Sequence, residues 1–194
     1  MRLVEEAGGW RVAPSNPDPT PDTDAGFFVR ELDLSTATGA AGVRLTYRPA
    51  RHEYRVGSQV GRGRHVSRAT TSFRYPVYRL TQGDADNDGQ MDVLVGPVKT
   101  THFDATIQRR LFIYHLDSTG RLRPRWLGSR VIYPLVYFRA GRGTDGRTFI
   151  QTIEHPAGQG YCVGRYYWQG FGLSLDHFLA RQLSLDAAYS RFLL

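Results

Sequence analysis

In Val43-Arg44-Leu45-Thr46-Tyr47 apolar and polar residues alternate, the pattern of a strand with one buried face. Short segments of this kind, or short apolar runs, recur along most of the chain. Tyr, Phe, Val and Ile dominate them, and Gly, Asp or Pro breaks separate them, which favours strands over helices. The pattern predicts strands at Phe27–Leu34, Tyr75–Leu80, Met91–Val95, Leu111–Leu116, Val131–Phe138, Thr148–Ile153 and Val163–Trp168. The small-residue stretch STATGAAG (35–42) reads as the loop joining the first two strands. One helix is expected, short and C-terminal, over Asp186–Phe192 with Ser184 as its N-cap. The fold class is therefore all-β with a short C-terminal helix. Residues 13–24, APSNPDPTPDTD, carry four prolines and three aspartates and can form neither a ladder nor a helix. They set off an N-terminal arm and linker, 1–26, from one domain over 27–194.

The chain also resembles itself. Shifted by 52 residues, RRLFIYHLDSTGRLRPRWLGSR (109–130) lies on YCVGRYYWQGFGLSLDHFLARQ (161–182) without a gap. Tyr114 then meets Tyr166, Leu116 meets Trp168, Gly120 meets Gly172, Trp126 meets Phe178 and Leu127 meets Leu179. Upstream, YPVYRLTQGDADNDGQMDVLVG (75–96) is similar to YPLVYFRAGRGTDGRTFIQTIE (133–154). A repeat of roughly 50 residues holding about four strands has the size of a β-propeller blade. Repeats at about 27–74, 75–131 and 132–182 would make three blades, an incomplete ring, since propellers have about four to eight.

One segment carries chemistry. After Gly83 come Asp84, Asp86 and Asp88 in alternation, then Gly89, Gln90 and Asp92. Alternate side chains in a tight loop converge, and a hard cation such as calcium takes about six to eight oxygens at roughly 2.3–2.6 Å. Asp84, Asp86, Asp88 and Asp92 offer carboxylates and Gln90 its backbone carbonyl. Magnesium, which keeps several waters, suits such a loop less well. An EF-hand loop would place a Glu at its twelfth position, and here that position is Val95. With strand-like flanks, the site reads as a calcium loop in a β-hairpin. DADNDGQMDVLVG resembles the calcium loop of FG-GAP (also called VCBS) repeats, the blades of integrin-type β-propellers and of many bacterial exported proteins. The resemblance covers about residues 75–182. It implies blades of four antiparallel strands, with one calcium pinning a hairpin between two of them. The second repeat keeps only Asp145 and Gly146 of the motif; Arg142 and Arg147 replace its acidic character, so one calcium is expected.

Composition narrows the function classes. The 194 residues include a single cysteine, Cys162, which excludes an internal disulfide and any cysteine-based zinc site. No run of about 18 apolar residues occurs, so no membrane helix is expected, and the first ten residues show no signal peptide. Calcium use points instead to an extracytoplasmic site, whether periplasmic, cell-surface or secreted. The net charge is +7, and Lys99 is the only lysine among 25 basic residues. Residues 48–74 hold seven arginines against one acid, Glu53, and read as a long mobile loop. Arg55, Arg62, Arg64 and Arg68 in it could meet an acidic partner, although nucleic acid is not the favoured one. The segment PVKTTHFDATIQRR reads as a second loop, with Lys99, His102, Asp104 and Arg109 as a candidate ligand surface. No GxSxG elbow or phosphate loop is present, and nothing assembles a nucleophile, a base and an oxyanion hole.

The expectation is a non-enzymatic, calcium-stabilised, propeller-like binding or structural subunit. Three blades would leave two outer faces open and apolar, so other chains are expected as partners, in a homo-oligomer or a hetero-complex. Two alternatives belong to other classes. One is a polysaccharide hydrolase or lyase on the same scaffold, for which Glu31, Glu53, Asp104 and Glu154 are the acids at hand. The other is a polyanion-binding protein using residues 48–74.

Overall fold

The computed structural model describes residues 2–6, 9–13, 29–36, 39–62, 65–128 and 131–193. Residues 14–24 of the expected linker lie outside them, as do Phe27 and Phe28 of the first expected strand, and Arg64. The arm is not featureless: β1 (Arg2–Glu6) and β2 (Gly9–Ala13) pair as an antiparallel hairpin.

Three larger antiparallel sheets follow in chain order. Sheet 1 contains β3 (Val29–Thr36), β4 (Gly39–Arg48), β5 (Glu53–Arg62) and β6 (His65–Phe73), each paired with the next. Sheet 2 contains β7 (Val77–Gly83), β8 (Asp92–Thr101), β9 (Asp104–Arg109), β10 (Phe112–Leu116) and β11 (Leu122–Leu127). Strands β9 and β10 share one register along the long β8, from Lys99↔Gln108 to Val93↔Tyr114, with a break at Arg110–Leu111 and a register shift before the end pair Thr101↔Asp104. Sheet 3 contains β12 (Leu135–Arg142), β13 (Thr148–Glu154), β14 (Tyr161–Gln169) and β15 (Gly172–Leu183), again a meander. Helix α1 (Leu185–Leu193) ends the fold, and the Ser184 hydroxyl accepts the Ala187 N–H at 3.2 Å, the expected N-cap. The self-similar segments fall on matching positions. Residues 75–96 and 133–154 form the first two strands of sheets 2 and 3, and 109–130 and 161–182 the last two. The described residues form no closed barrel or propeller ring.

The sheets stack face to face. Val43, Leu45, Val56 and Val60 of sheet 1 pack on Val93, Val95, Phe112 and Tyr114 of sheet 2. The opposite face of sheet 2, with Tyr78, Leu94 and Ile113, packs on Phe138, Ile150 and Tyr166 of sheet 3. Sheet 2 is thus buried on both sides, which explains the unbroken apolar run Val93-Leu94-Val95. Gly83 lets β7 approach β12: a Cβ there would lie 2.3 Å from that of Ala140. Arginines pack as well as solvate. Arg79 lies 4.1 Å from the ring centroid of Tyr137, Arg165 4.3 Å from Phe149 and Arg181 4.1 Å from Phe178.

Several expectations need correction. The arginine-rich stretch 48–74 is no mobile loop. It is the β5–β6 hairpin, with Tyr54, Val56, Val60 and Phe73 facing the core and Arg55 and Arg68 on the outer side. Glycine and serine hid the alternation, because Gly57 and Ser58 occupy strand positions that usually carry β-branched residues. STATGAAG is mostly strand, since β4 starts at Gly39. PVKTTHFDATIQRR is a hairpin too, extending β8 into β9. Among the described side chains, the outer faces are not open apolar surfaces. Ala188, Tyr189 and Phe192 of α1 cover Ile153 and Val163 of sheet 3. The outer face of sheet 1 presents Gly42, Arg44, Gln59, Arg68 and Thr70 to solvent. The premise for expecting partners on those faces therefore fails among the described residues.

Sheet 3 buries one acid. The Glu154 carboxylate accepts hydrogen bonds from the Thr152 hydroxyl (2.6 Å), the Tyr166 hydroxyl (2.7 Å) and the Tyr133 N–H (2.8 Å). Burial pushes its pKa up, and these three donors only partly oppose the rise. The folded protein therefore holds this proton more firmly than the unfolded chain does. The stability so gained is largest in acid and is lost as pH rises past the ordinary carboxylate range. Glu154→Gln should flatten the fall of melting temperature as pH rises past the ordinary carboxylate range. It should also cost roughly 1–3 kcal/mol at low pH, because an amide cannot accept all three bonds. Melting curves of both proteins across that range check this; parallel profiles would assign the pH dependence elsewhere.

Candidate metal centre

The hairpin between β7 and β8 closes at the pair Gly83↔Asp92, and residues 84–91 form its loop. The loop folds around its own carboxylates. Asp84 accepts the Asp88 N–H on Oδ1 (2.9 Å) and the Gly89 N–H on Oδ2 (3.0 Å). Asp88 Oδ1 accepts the Gln90 N–H at 2.9 Å, and Asp92 Oδ2 accepts the Ala85 N–H at 3.0 Å. Two residues take left-handed backbone, Asn87 at φ 60° and Gly89 at φ 85°. Glycine and asparagine are the residue types that tolerate it most readily.

Asp84, Asp86 and Asp88 each bring a carboxylate oxygen within 4.8 Å of the others. The Asp86 side chain is only 10% exposed, and its Oδ1 is buried with no hydrogen-bond partner. An unpartnered buried carboxylate oxygen is costly unless a cation meets it. Burial also raises the pKa of Asp86, against the pull of Arg125. Asp92, at the buried start of β8, is pushed up to about 7, first by burial and then by the charges of Asp86 and Asp88. Such a loop offers hard oxygen ligands and an excess of negative charge, the donor set a divalent cation requires. The triad could hold a metal ion. The structure gathers Asp84, Asp86 and Asp88 into one cluster. Asp92 and Gln90 flank it through their backbone-linked bonds and are not members of the triad.

Two residues at this loop escaped the sequence reading. Arg125 on β11 binds Asp86 Oδ2 through Nη2 at 2.5 Å, and the same nitrogen meets Asp88 Oδ2. Asn87 reaches the next sheet: its Oδ1 accepts the Thr148 N–H at 2.6 Å and its Nδ2 donates to the Thr148 carbonyl at 3.3 Å. Both lie far from their partners in sequence, and no local pattern marks them. The corresponding turn of sheet 3 is built differently. Asp145 Oδ1 accepts the Arg147 N–H at 3.0 Å, and Arg142 Nε donates to the Gly146 carbonyl at 2.8 Å.

The other candidate residues do not converge. Lys99 stands 4.5 Å from the Tyr75 ring centroid. His102 and Phe103 form the tip of the β8–β9 hairpin. Asp104 is held by the buried Arg110 at 3.0 Å, which keeps its carboxyl well below the usual range. Arg109 donates to the Val136 carbonyl at 2.9 Å. Arg55 pairs with Glu53 at 2.8 Å, Arg62 ends β5, and Arg68 is exposed on β6. No family model, curated protein or solved structure matches the chain.

Proposed function

We propose that the chain is a calcium-stabilised binding or structural module, built from three blade-like sheets, that works outside the cytoplasm. The acidic loop carries this reading: three carboxylates converge, and one buried oxygen among them lacks a partner. Three stacked antiparallel sheets, two of them four-stranded meanders, support the blade interpretation and its likeness to FG-GAP repeats. A cation at the loop would lock β7 to β8, and through Asn87 would brace sheet 2 against sheet 3. The metal is thus read as structural. A non-catalytic role is supported by the state of the described acids that a carbohydrate hydrolase would need, Glu31 lying outside the described side chains. Glu53 and Asp104 are tied to arginines, and Glu154 is buried within sheet 3.

Calcium sites of extracellular modules bind at about 10⁻⁴–10⁻³ M. At ten times that Kd the added stability is only about 1.4 kcal/mol. The melting temperature should therefore rise modestly with calcium and fall with chelator. Asp88→Ala should remove the difference, because it deletes both a ligand and the Gln90 N–H acceptor. Wild type and variant melting alike at every calcium concentration would reduce the loop to an acidic turn.

A further inference from the structure

Strand β11 contains an irregularity. Ile113 pairs with Trp126, yet the next residue, Tyr114, pairs with Pro124. Arg125 is the residue left over, the extra member of a β-bulge. Bulges re-aim a side chain out of the regular alternation. Here the side chain is aimed at the acidic loop 37 residues earlier in the chain, where its Nη2 lies between Asp86 Oδ2 and Asp88 Oδ2. Its neighbour on the same strand, Arg123, is committed elsewhere, to Asp117 at 2.8 Å. The remaining oxygen of Asp86, Oδ1, stays buried and unpartnered, so the guanidinium does not satisfy the cluster.

We propose that Arg125 is the resident counter-cation of this loop, and that a divalent metal binds by displacing it from Asp86 and Asp88. The proposal rests on the calcium reading above and adds a determinant of affinity to it. Two cations cannot share the same pair of carboxylates without strong repulsion, which the half-buried setting screens little. Metal binding is then an exchange: the guanidinium leaves two carboxylate oxygens and the metal takes them. The bulge holds Arg125 ready to return when the metal departs. This exchange keeps the loop folded without metal and keeps its affinity for metal low.

The test is calcium titration by calorimetry on the full chain, comparing wild type, Arg125→Gln and Arg123→Gln. Arg125→Gln should bind calcium at least ~5-fold more tightly than wild type. Arg123→Gln makes the same charge change on the same strand and should leave the affinity unchanged. If Arg125→Gln binds calcium equally or more weakly, Arg125 braces the loop, and the displacement proposal falls while the calcium reading stands. If Arg123→Gln tightens binding as much, the effect is one of overall charge, and the proposal again falls. If none of the proteins binds calcium at millimolar concentration, the calcium reading fails and the exchange with it.

Discussion

Replacing residues 55–68 by a short Gly/Ser linker should abolish cooperative folding. The segment contains most of β5 and the start of β6, the two strands that complete sheet 1. Val56 and Val60, both buried, would be lost from the core, each worth about 1.5–3 kcal/mol. Strand β4 would also lose its partner along the register from Ala41↔Val60 to Thr46↔Arg55. The larger effect falls on sheet 2, whose inner residues Val93, Val95, Phe112 and Tyr114 would face water. The Ser58 hydroxyl, which donates to the Gly120 carbonyl and ties the two sheets together, would vanish as well. A domain holds only about 5–15 kcal/mol of net stability, so these losses are not survivable together. Circular dichroism melts and size exclusion should show a broad transition and aggregated material. A cooperative melt close to that of the wild type would mean that sheet 2 does not depend on sheet 1 for burial.

The second large effect is expected from removing α1. A chain ending at Ser184 loses Ala188, Tyr189 and Phe192, which are all buried against Ile153 and Val163. The rings of Tyr189 and Phe192 also pack on Tyr137, at 5.8 and 5.7 Å between centroids, and Arg139 lies 5.2 Å from Phe192. Burying the two aromatic side chains contributes several kcal/mol, at about 1.5–3 kcal/mol for each. Without the helix, an apolar face of sheet 3 becomes a contiguous exposed patch, which soluble chains rarely tolerate. The truncated protein should bind a hydrophobic dye more strongly than the full chain and elute as larger species. The single substitution Phe192→Ala should move both readings in the same direction, with a cost of about 3–5 kcal/mol. Unchanged dye binding and elution would show that α1 is dispensable as a cover.

The alternation of residues and the Gly/Asp/Pro breaks were enough to read antiparallel strands in sheets 2 and 3, because those signals are local. The N-cap at Ser184 and the DxDxDGxxD loop were legible for the same reason. A side chain bonding to an N–H two to five residues away depends only on short spacing, as Asp84 does with Asp88 and Gly89. The internal similarity likewise foreshadowed which strands occupy matching places in sheets 2 and 3. The arginine-rich hairpin β5–β6 was not legible. Its outer face is polar and its inner face is interrupted by Ser58, so composition resembled a loop, and only packing on sheet 2 makes it a strand pair. The β8–β9 extension was hidden similarly, since Phe103 and Ile107 remain exposed, at 84% and 72%. Which faces end the stack also lay beyond the sequence. Nothing in the pattern of Asp186–Phe192 says that this helix folds back on β13 and β14.

The division is clearest at the acidic loop. Sequence alone pointed to the alternating carboxylates Asp84, Asp86 and Asp88, because a turn of this length leaves alternate side chains nowhere else to point, but not to Asp92 lying outside their cluster, its carboxylate bound to the Ala85 N–H. What surrounds them was decided by the tertiary structure. Arg125 arrives from β11 through a bulge, and Asn87 finds Thr148 on the neighbouring sheet. Both contacts span dozens of residues, and they exist only because three sheets must stack to hide apolar faces that no single sheet can bury alone.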